Sequence, residues 1–110
     1  MIVITGGGGF IGSSLAKTLI DDELIIIDTF NDFDQKVYLS EIPGARLVSL
    51  KDCKSVLNYF KNDIKYFYHF GANSSTDQTI LSEAIDLNIF WSQFFWDFCT
   101  NNKIPFMYAS

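Results

Sequence analysis

The sequence predicts an α/β fold with a doubly wound parallel sheet, on three observations. Short β-branched runs alternate with stretches of helical spacing along the 110 residues. Each apolar run ends in a glycine- or polar-rich loop. The N-terminal run, Ile2-Val3-Ile4, leads through Thr5 into four consecutive glycines and then into an apolar helical pattern at Phe10, Ile11, Leu15 and Leu19. Alternation of strands and helices is the signature of βαβ units, which build parallel sheets with right-handed crossovers. A strand rich in β-branched residues without polar alternation is one buried on both faces.

Strand, glycine loop and helix together make an anion site, because the helix N-terminus presents unpaired N–H groups and a partial positive charge. Gly6, Gly9 and Gly12 satisfy GxxGxxG, and Gly7, Gly9 and Gly12 satisfy GxGxxG, so the letters leave both loop variants open. In either, one glycine turns the chain out of the strand, one lets backbone approach a pyrophosphate, and one lets the helix lie close to the sheet. A second apolar run, Leu24–Ile27, ends in Asp28, 22 residues beyond Gly6. An acidic residue about 20 residues on is expected to accept hydrogen bonds from the adenosine ribose of a dinucleotide. These features predict a Rossmann-like sheet.

The elements follow in order. The first strand is expected at residues 2–5 and the first helix at 10–20. Asp21, Asp22 and Glu23 oppose the helix dipole and read as a solvated turn. The second strand is expected at 24–28, and residues 29–45 as a loop running past the adenine. The third strand is expected at 46–50, with Asp52 as N-cap of a helix reaching about Lys61. The fourth strand is expected at 65–70, followed by a loop rich in glycine and hydroxyls, Gly71 to Thr76. A long helix is expected at 79–101, and Pro105 introduces a fifth strand, Phe106–Ala109.

On that helix Ile80, Ala84, Leu87, Trp91, Phe94 and Phe98 make a stripe expected to face the sheet. Ile85, Ile89 and Trp96 make a second stripe, and Asp86, Gln93 and Asp97 a wet face. A second apolar stripe calls for a second partner. His69 reads as a packed, hydrogen-bonded histidine in preference to a proton shuttle. Ser74, Ser75 and Thr76 either touch substrate or cap the following helix.

Composition narrows the class. Net charge is −5 with Arg46 the single arginine, which argues against a nucleic-acid surface. Cys53 and Cys99 lack the spacing of a disulfide framework or a metal site and read as packed thiols; no metal is expected. The glycines interrupt the N-terminal apolar run and no stretch reaches about 18 apolar residues, so neither a signal peptide nor a membrane span is expected, and the cytoplasm is.

Several stretches together resemble the extended short-chain dehydrogenase/reductase family, the NAD-dependent epimerases and dehydratases of nucleotide sugars. They are Thr5 to Gly12, Asp28, Tyr68-His69-Phe70-Gly71-Ala72, Asn88 and Pro105 to Ser110. Within it, His69 to Ser75 and Ile104 to Ser110 are most similar to the ADP-L-glycero-D-manno-heptose 6-epimerases. The resemblance implies that Gly6, Gly9, Phe10, Ile11 and Gly12 line the pyrophosphate and that Asp28 and Thr29 meet the adenosine ribose. It sets Ser49 and Leu50 at the adenine, where relatives carry an Asp-Ile or Asp-Leu pair, so Ser49 is a departure. It sets Phe70, Gly71, Ala72, Asn73 and Ser74 along the nicotinamide ribose, supported by Asn88. Lys36 and Lys51 are the nearby cations for a 2′-phosphate.

A carboxylate at the end of the second strand favours NAD, whereas the heptose epimerases resemble NADP users; through that resemblance NADP is the expected cofactor, with NAD the alternative. The family's Tyr-x-x-x-Lys pair is expected beyond residue 110, and its catalytic serine next after Ser110. No catalytic residue is therefore expected within 1–110, which reads as the N-terminal part of a dinucleotide-binding domain, inactive by itself, with the substrate half absent. The implied substrate is a nucleotide sugar, and the implied partner is another copy of the chain, paired through the 79–101 helix. The alternatives are a sugar-nucleotide 4-epimerase or 4,6-dehydratase, and a non-catalytic dinucleotide-binding module.

Overall fold

The computed structural model describes residues 1–6, 15, 18, 19, 22–28, 44–70 and 78–109, with side chains described except at 78–88 and 109. Five strands among them form one parallel sheet: β1 (Ile2–Thr5), β2 (Leu24–Asp28), β3 (Arg46–Ser49), β4 (Tyr66–Phe70) and β5 (Phe106–Ala109). Their order is β3-β2-β1-β4-β5. The chain thus lays β2 and β3 on one side of β1, then returns to lay β4 and β5 on the other. This is the order of the dinucleotide-binding sheets, with its switch point between β1 and β4.

Alternation along the strands divides the core into two layers. Val3, Ile25, Ile27 and Phe67 point to one face and pack with α1 (Cys53–Phe60) and α2 (Gln78–Asn101) through Cys53, Leu57, Phe95 and Cys99. Ile2, Ile4, Leu24 and Ile26 point to the other, where Leu15, Leu19, Tyr68 and Phe70 lie against them. Successive side chains of a strand project to opposite faces, so a strand covered on both sides needs apolar residues at every position. That is why β1 and β2 read as unbroken apolar runs.

β1, β2 and β5 lie where the sequence places them, β4 begins one residue later than expected, and α2 occupies 78–101 against the expected 79–101. β3 ends at Ser49, because Leu50–Asp52 is already wound as a 3₁₀ turn. The same winding corrects the role given to Asp52. It is the residue before α1, but its backbone is helical and its side chain makes no cap hydrogen bond. Its carboxylate accepts instead from the Ser49 hydroxyl at 3.0 Å, while the Ser55 hydroxyl donates to its carbonyl at 3.0 Å. The expected helix of residues 10–20 falls mainly outside the described residues; Leu15 and Thr18 are helical.

The stripe on α2 is also corrected. Phe95 and Cys99, absent from the expected line, are its buried centre; Trp91, Phe94 and Phe98 flank them half-buried. The Phe95 ring lies 5.1 Å from that of Phe67, which is fully buried on this face of the sheet, and 5.6 Å from that of Trp91. Ile80, Ala84, Leu87 and Ile85 lie where side chains are not described. Gln93 and Asp97 are exposed and joined at 3.0 Å, as the wet face requires. Lys54 of α1 bridges the helices, its ammonium 5.1 Å from the Phe94 ring and 5.3 Å from that of Phe90.

α2 ends in a Schellman closure. Lys103 adopts φ 57, its N–H bonds the Thr100 carbonyl at 3.4 Å, and the Ile104 N–H bonds the Cys99 carbonyl at 2.9 Å. Ile104 and Cys99 share the core, which is the apolar contact that accompanies this motif. A lysine in the left-handed region carries a steric cost that glycine avoids. Lys103→Gly is expected to stabilise the protein by about 1 kcal/mol, read as a raised urea midpoint at constant slope.

Candidate functional site

The register of the ladders sets the carboxyl ends of the strands level with one another. Thr5 pairs with Ile27 on one side and with His69 on the other, Asp28 pairs with Ser49, and Phe70 with Ala109. Gly6, Asp28 and Phe70 are each one step further on. Across the middle of the sheet a row therefore runs Ser49, Asp28, Gly6, Phe70, with the switch point between the last two. In open α/β sheets this edge, at this point, is where ligands bind.

Gly6 is the sharpest feature of the row. Its φ is +73, a conformation that residues with a Cβ rarely adopt, and a Cβ placed there would collide with the Phe70 carbonyl oxygen. The Gly6 N–H still bonds the Ile27 carbonyl at 2.8 Å, so the turn begins while the chain is held to β2. Asp28 is half-buried at the tip of β2. Ser49 faces it across the β2–β3 ladder and spends its hydroxyl on Asp52. Leu50 is half-buried against the core shared with α1 and α2, and Lys51 is exposed on the 3₁₀ turn. Gly9, Phe10, Ile11, Gly12, Thr29, Lys36, Gly71, Ala72, Asn73 and Ser74 lie outside the described residues, as do Ser75 and Thr76. Asn88 lies on α2, where only the backbone is described.

His69, expected to be packed and hydrogen-bonded, is both. Only 4% of it is exposed; Nδ1 shares a hydrogen bond with Thr5 Oγ1, and Nε2 lies 2.8 Å from Ser92 Oγ. Rings surround it: Phe95 at 5.2 Å, Tyr108 at 5.4 Å and Phe106 at 5.9 Å. Burial pushes the imidazole down to about 4, so it is neutral at pH 7. One ring nitrogen then carries a proton and the other is bare, so one hydroxyl accepts and the other donates. Sequence reasoning missed both partners. Thr5 lies 64 residues away and Ser92 lies 23 away, and no local pattern links them.

The cysteines are packed thiols. Burial pushes Cys53 up to about 11 and Cys99 up to about 12, so neither forms a thiolate near neutrality. Among the described residues no group of three or more His, Cys, Asp or Glu side chains is placed to hold a metal ion. None of the helices among them is long and apolar enough to cross a membrane.

Residues 2–110 match the NAD dependent epimerase/dehydratase family. The chain belongs to that family. Among solved structures, it is similar to a UDP-N-acetylglucosamine 4-epimerase from Methanobrevibacter ruminantium M1 in complex with UDP-N-acetylmuramic acid. The identity is 28% and the TM-score 0.71, over 94% of this chain and 34% of that one. It is also similar in fold to a UDP-glucuronic acid 4-epimerase Y149F mutant from Bacillus cereus, in complex with UDP-4-deoxy-4-fluoro-glucuronic acid and NAD. Here the identity is 23% and the TM-score 0.52, over 62% of this chain and 25% of that one. The chain thus spans about a third and a quarter of the lengths of these two epimerases. The family's description carries NAD, in line with a carboxylate at the tip of β2.

The depressed imidazole has a consequence for stability. Its folded value lies below the unfolded one of 6.5, so the unfolded chain binds the extra proton between these two values. Its contribution is complete above pH 6.5 and is lost as pH falls toward 4. Relative to His69→Phe, which does not titrate, the protein is expected to lose about 3 kcal/mol over that window. Urea unfolding of both proteins at a series of pH values measures it.

Proposed function

We propose that this chain is the dinucleotide-binding part of an NAD-dependent nucleotide-sugar epimerase. The observation that carries the reading is the row Asp28, Gly6, Phe70 at the carboxyl edge of a sheet ordered 3-2-1-4-5, with the glycine turn at the switch point. The residues present fit a dinucleotide. Gly6 turns β1 where any side chain would strike β4, which leaves backbone alone to face a ligand at the crevice. Asp28 supplies a half-buried carboxylate at the position where ribose hydroxyls are held.

On this reading Gly6, Gly9, Phe10, Ile11 and Gly12 hold the pyrophosphate, and Asp28 and Thr29 the adenosine ribose. Ser49 and Leu50 serve the adenine, Phe70, Gly71, Ala72, Asn73 and Ser74 the nicotinamide ribose, and Asn88 supports that segment. A carboxylate accepts hydrogen bonds from a free 2′-hydroxyl and repels a 2′-phosphate, so we assign NAD. Lys36 and Lys51 remain the cations for NADP, which rests on the resemblance to the heptose epimerases. The nicotinamide supplies hydride transfer when bound, and the residues of this chain bind and orient it.

For the substrate, His69 to Ser75 and Ile104 to Ser110 support a nucleoside-diphosphate heptose epimerised at carbon 6. Similarity to the UDP-N-acetylglucosamine 4-epimerase favours a second reading, epimerisation of a UDP-sugar at carbon 4. Activity of the native enzyme on each substrate separates the two.

Titration calorimetry tests the cofactor assignment. NAD is expected to bind more tightly than NADP, and Asp28→Asn to weaken NAD by about tenfold or more while leaving NADP no worse. Flat traces with both cofactors would remove the reading.

The exposed Ile89, Phe90 and Trp96 along α2 are the surface we assign to a second copy of the chain. Self-association is expected in sedimentation velocity at raised concentration, and a monomer throughout would count against this surface.

A further inference from the structure

Thr5 and His69 are the buried polar side chains among the described residues. They are direct partners across the β1–β4 ladder, and both continue the line of Val3 and Phe67 on the face covered by α2. Ser92 reaches His69 from that helix. One hydrogen-bonded chain, Thr5–His69–Ser92, thereby joins two central strands to the helix that packs on them.

Its place gives it a role. Thr5 immediately precedes Gly6, and His69 immediately precedes Phe70, the two residues whose backbones approach too closely for a Cβ. The chain lies directly beneath the switch point. Packing alone does not require it, since apolar side chains at positions 5 and 69 would avoid desolvating two polar groups. Buried polar networks that are fully satisfied hold one arrangement of their elements against near alternatives. The arrangement held here is the relative position of the carboxyl ends of β1 and β4.

We infer that His69 is a positioning residue for the dinucleotide: bridging Thr5 and Ser92, it sets the spacing of the β1 and β4 ends at the proposed dinucleotide site. This rests on the proposed function, and it adds a residue that touches no ligand. The ring acts through Thr5 on the Gly6 turn and through its own backbone on Phe70. It takes no part in proton transfer.

The experiment measures NAD affinity in the native protein and in Thr5→Val, Thr5→Ser, Ser92→Ala and His69→Phe, with cooperative unfolding checked for each. Thr5→Val and Ser92→Ala are expected to fold and to bind NAD about tenfold more weakly, and Thr5→Ser to stay within about twofold of the native protein. His69 is the single histidine of the sequence, so its ring signals are free of overlap. In the native protein its ring ¹⁵N resonances are expected to shift on saturation with NAD, which a histidine of packing alone would not show. Native protein that binds neither NAD nor NADP would overturn the proposed function and this inference with it. Native binding with folded Thr5→Val and Ser92→Ala variants of unchanged affinity would overturn this inference alone. Ring resonances indifferent to NAD would do the same, whether or not the variants fold.

Discussion

The close approach of β1 and β4 at Gly6 and Phe70 is the constraint around which the rest is arranged. β1 is the middle of the five strands among the described residues, bonded to β2 on one side and β4 on the other. Beyond Thr5 its chain must leave the sheet between two neighbours, and the Phe70 carbonyl stands where a side chain at position 6 would go. Glycine resolves this twice over: it adopts φ +73 at little cost, and it has no atom to collide. A switch point exists because the chain fills one side of β1 before the other, and that topology concentrates open backbone at one place on the sheet edge.

Beneath that edge the sheet separates its duties by face. The layer under α1 and α2 is rich in aromatics, with the Phe67 ring in contact with those of Phe95, Phe98 and Phe106. The opposite layer has an aliphatic centre of Ile2, Ile4, Leu24 and Ile26, with Tyr68 and Phe70 half-buried beside it. Large rings anchor a helix at a fixed depth, because they bury much area and pack in few orientations. Trp96 extends this layer outward, resting edge-on against Phe106 at 5.7 Å while about half exposed. The same helix that covers the core thus carries apolar surface away from it.

The polar groups follow the same economy of placement. Each ring nitrogen of His69 has a hydroxyl partner, and the imidazole meets them neutral, so burial leaves no uncompensated charge. Ser49 and Asp52 pair on each other at the tip of β3, in place of the cap that Asp52 would have made to α1. A carboxylate that caps a helix must precede the first helical residue in extended backbone; here Leu50–Asp52 is already wound, and the extended residue is Ser49.

Much of the fold was legible in the sequence because its signals are local. The unbroken β-branched runs of β1 and β2, the glycines at a strand end, the acidic residue at the tip of β2 and the Pro105 that opens β5 each act on their own few residues. Strand bounds followed, and so did the edge of the sheet that carries Asp28 and Gly6. Which residue of α2 lies deepest was not legible: a helix with aromatics at 90, 91, 94, 95, 96 and 98 has no single apolar line, and the ring of Phe67 selects Phe95. Nor was the bridge from Thr5 through His69 to Ser92, which needs the strand order and the seating of α2 before its members meet. Backbone preference and hydrophobic period are properties of neighbours along the chain, so the sequence by itself determined the elements and their polarity. Contacts between residues 23 and 64 apart depend on how those elements pack, and only the tertiary structure decided them.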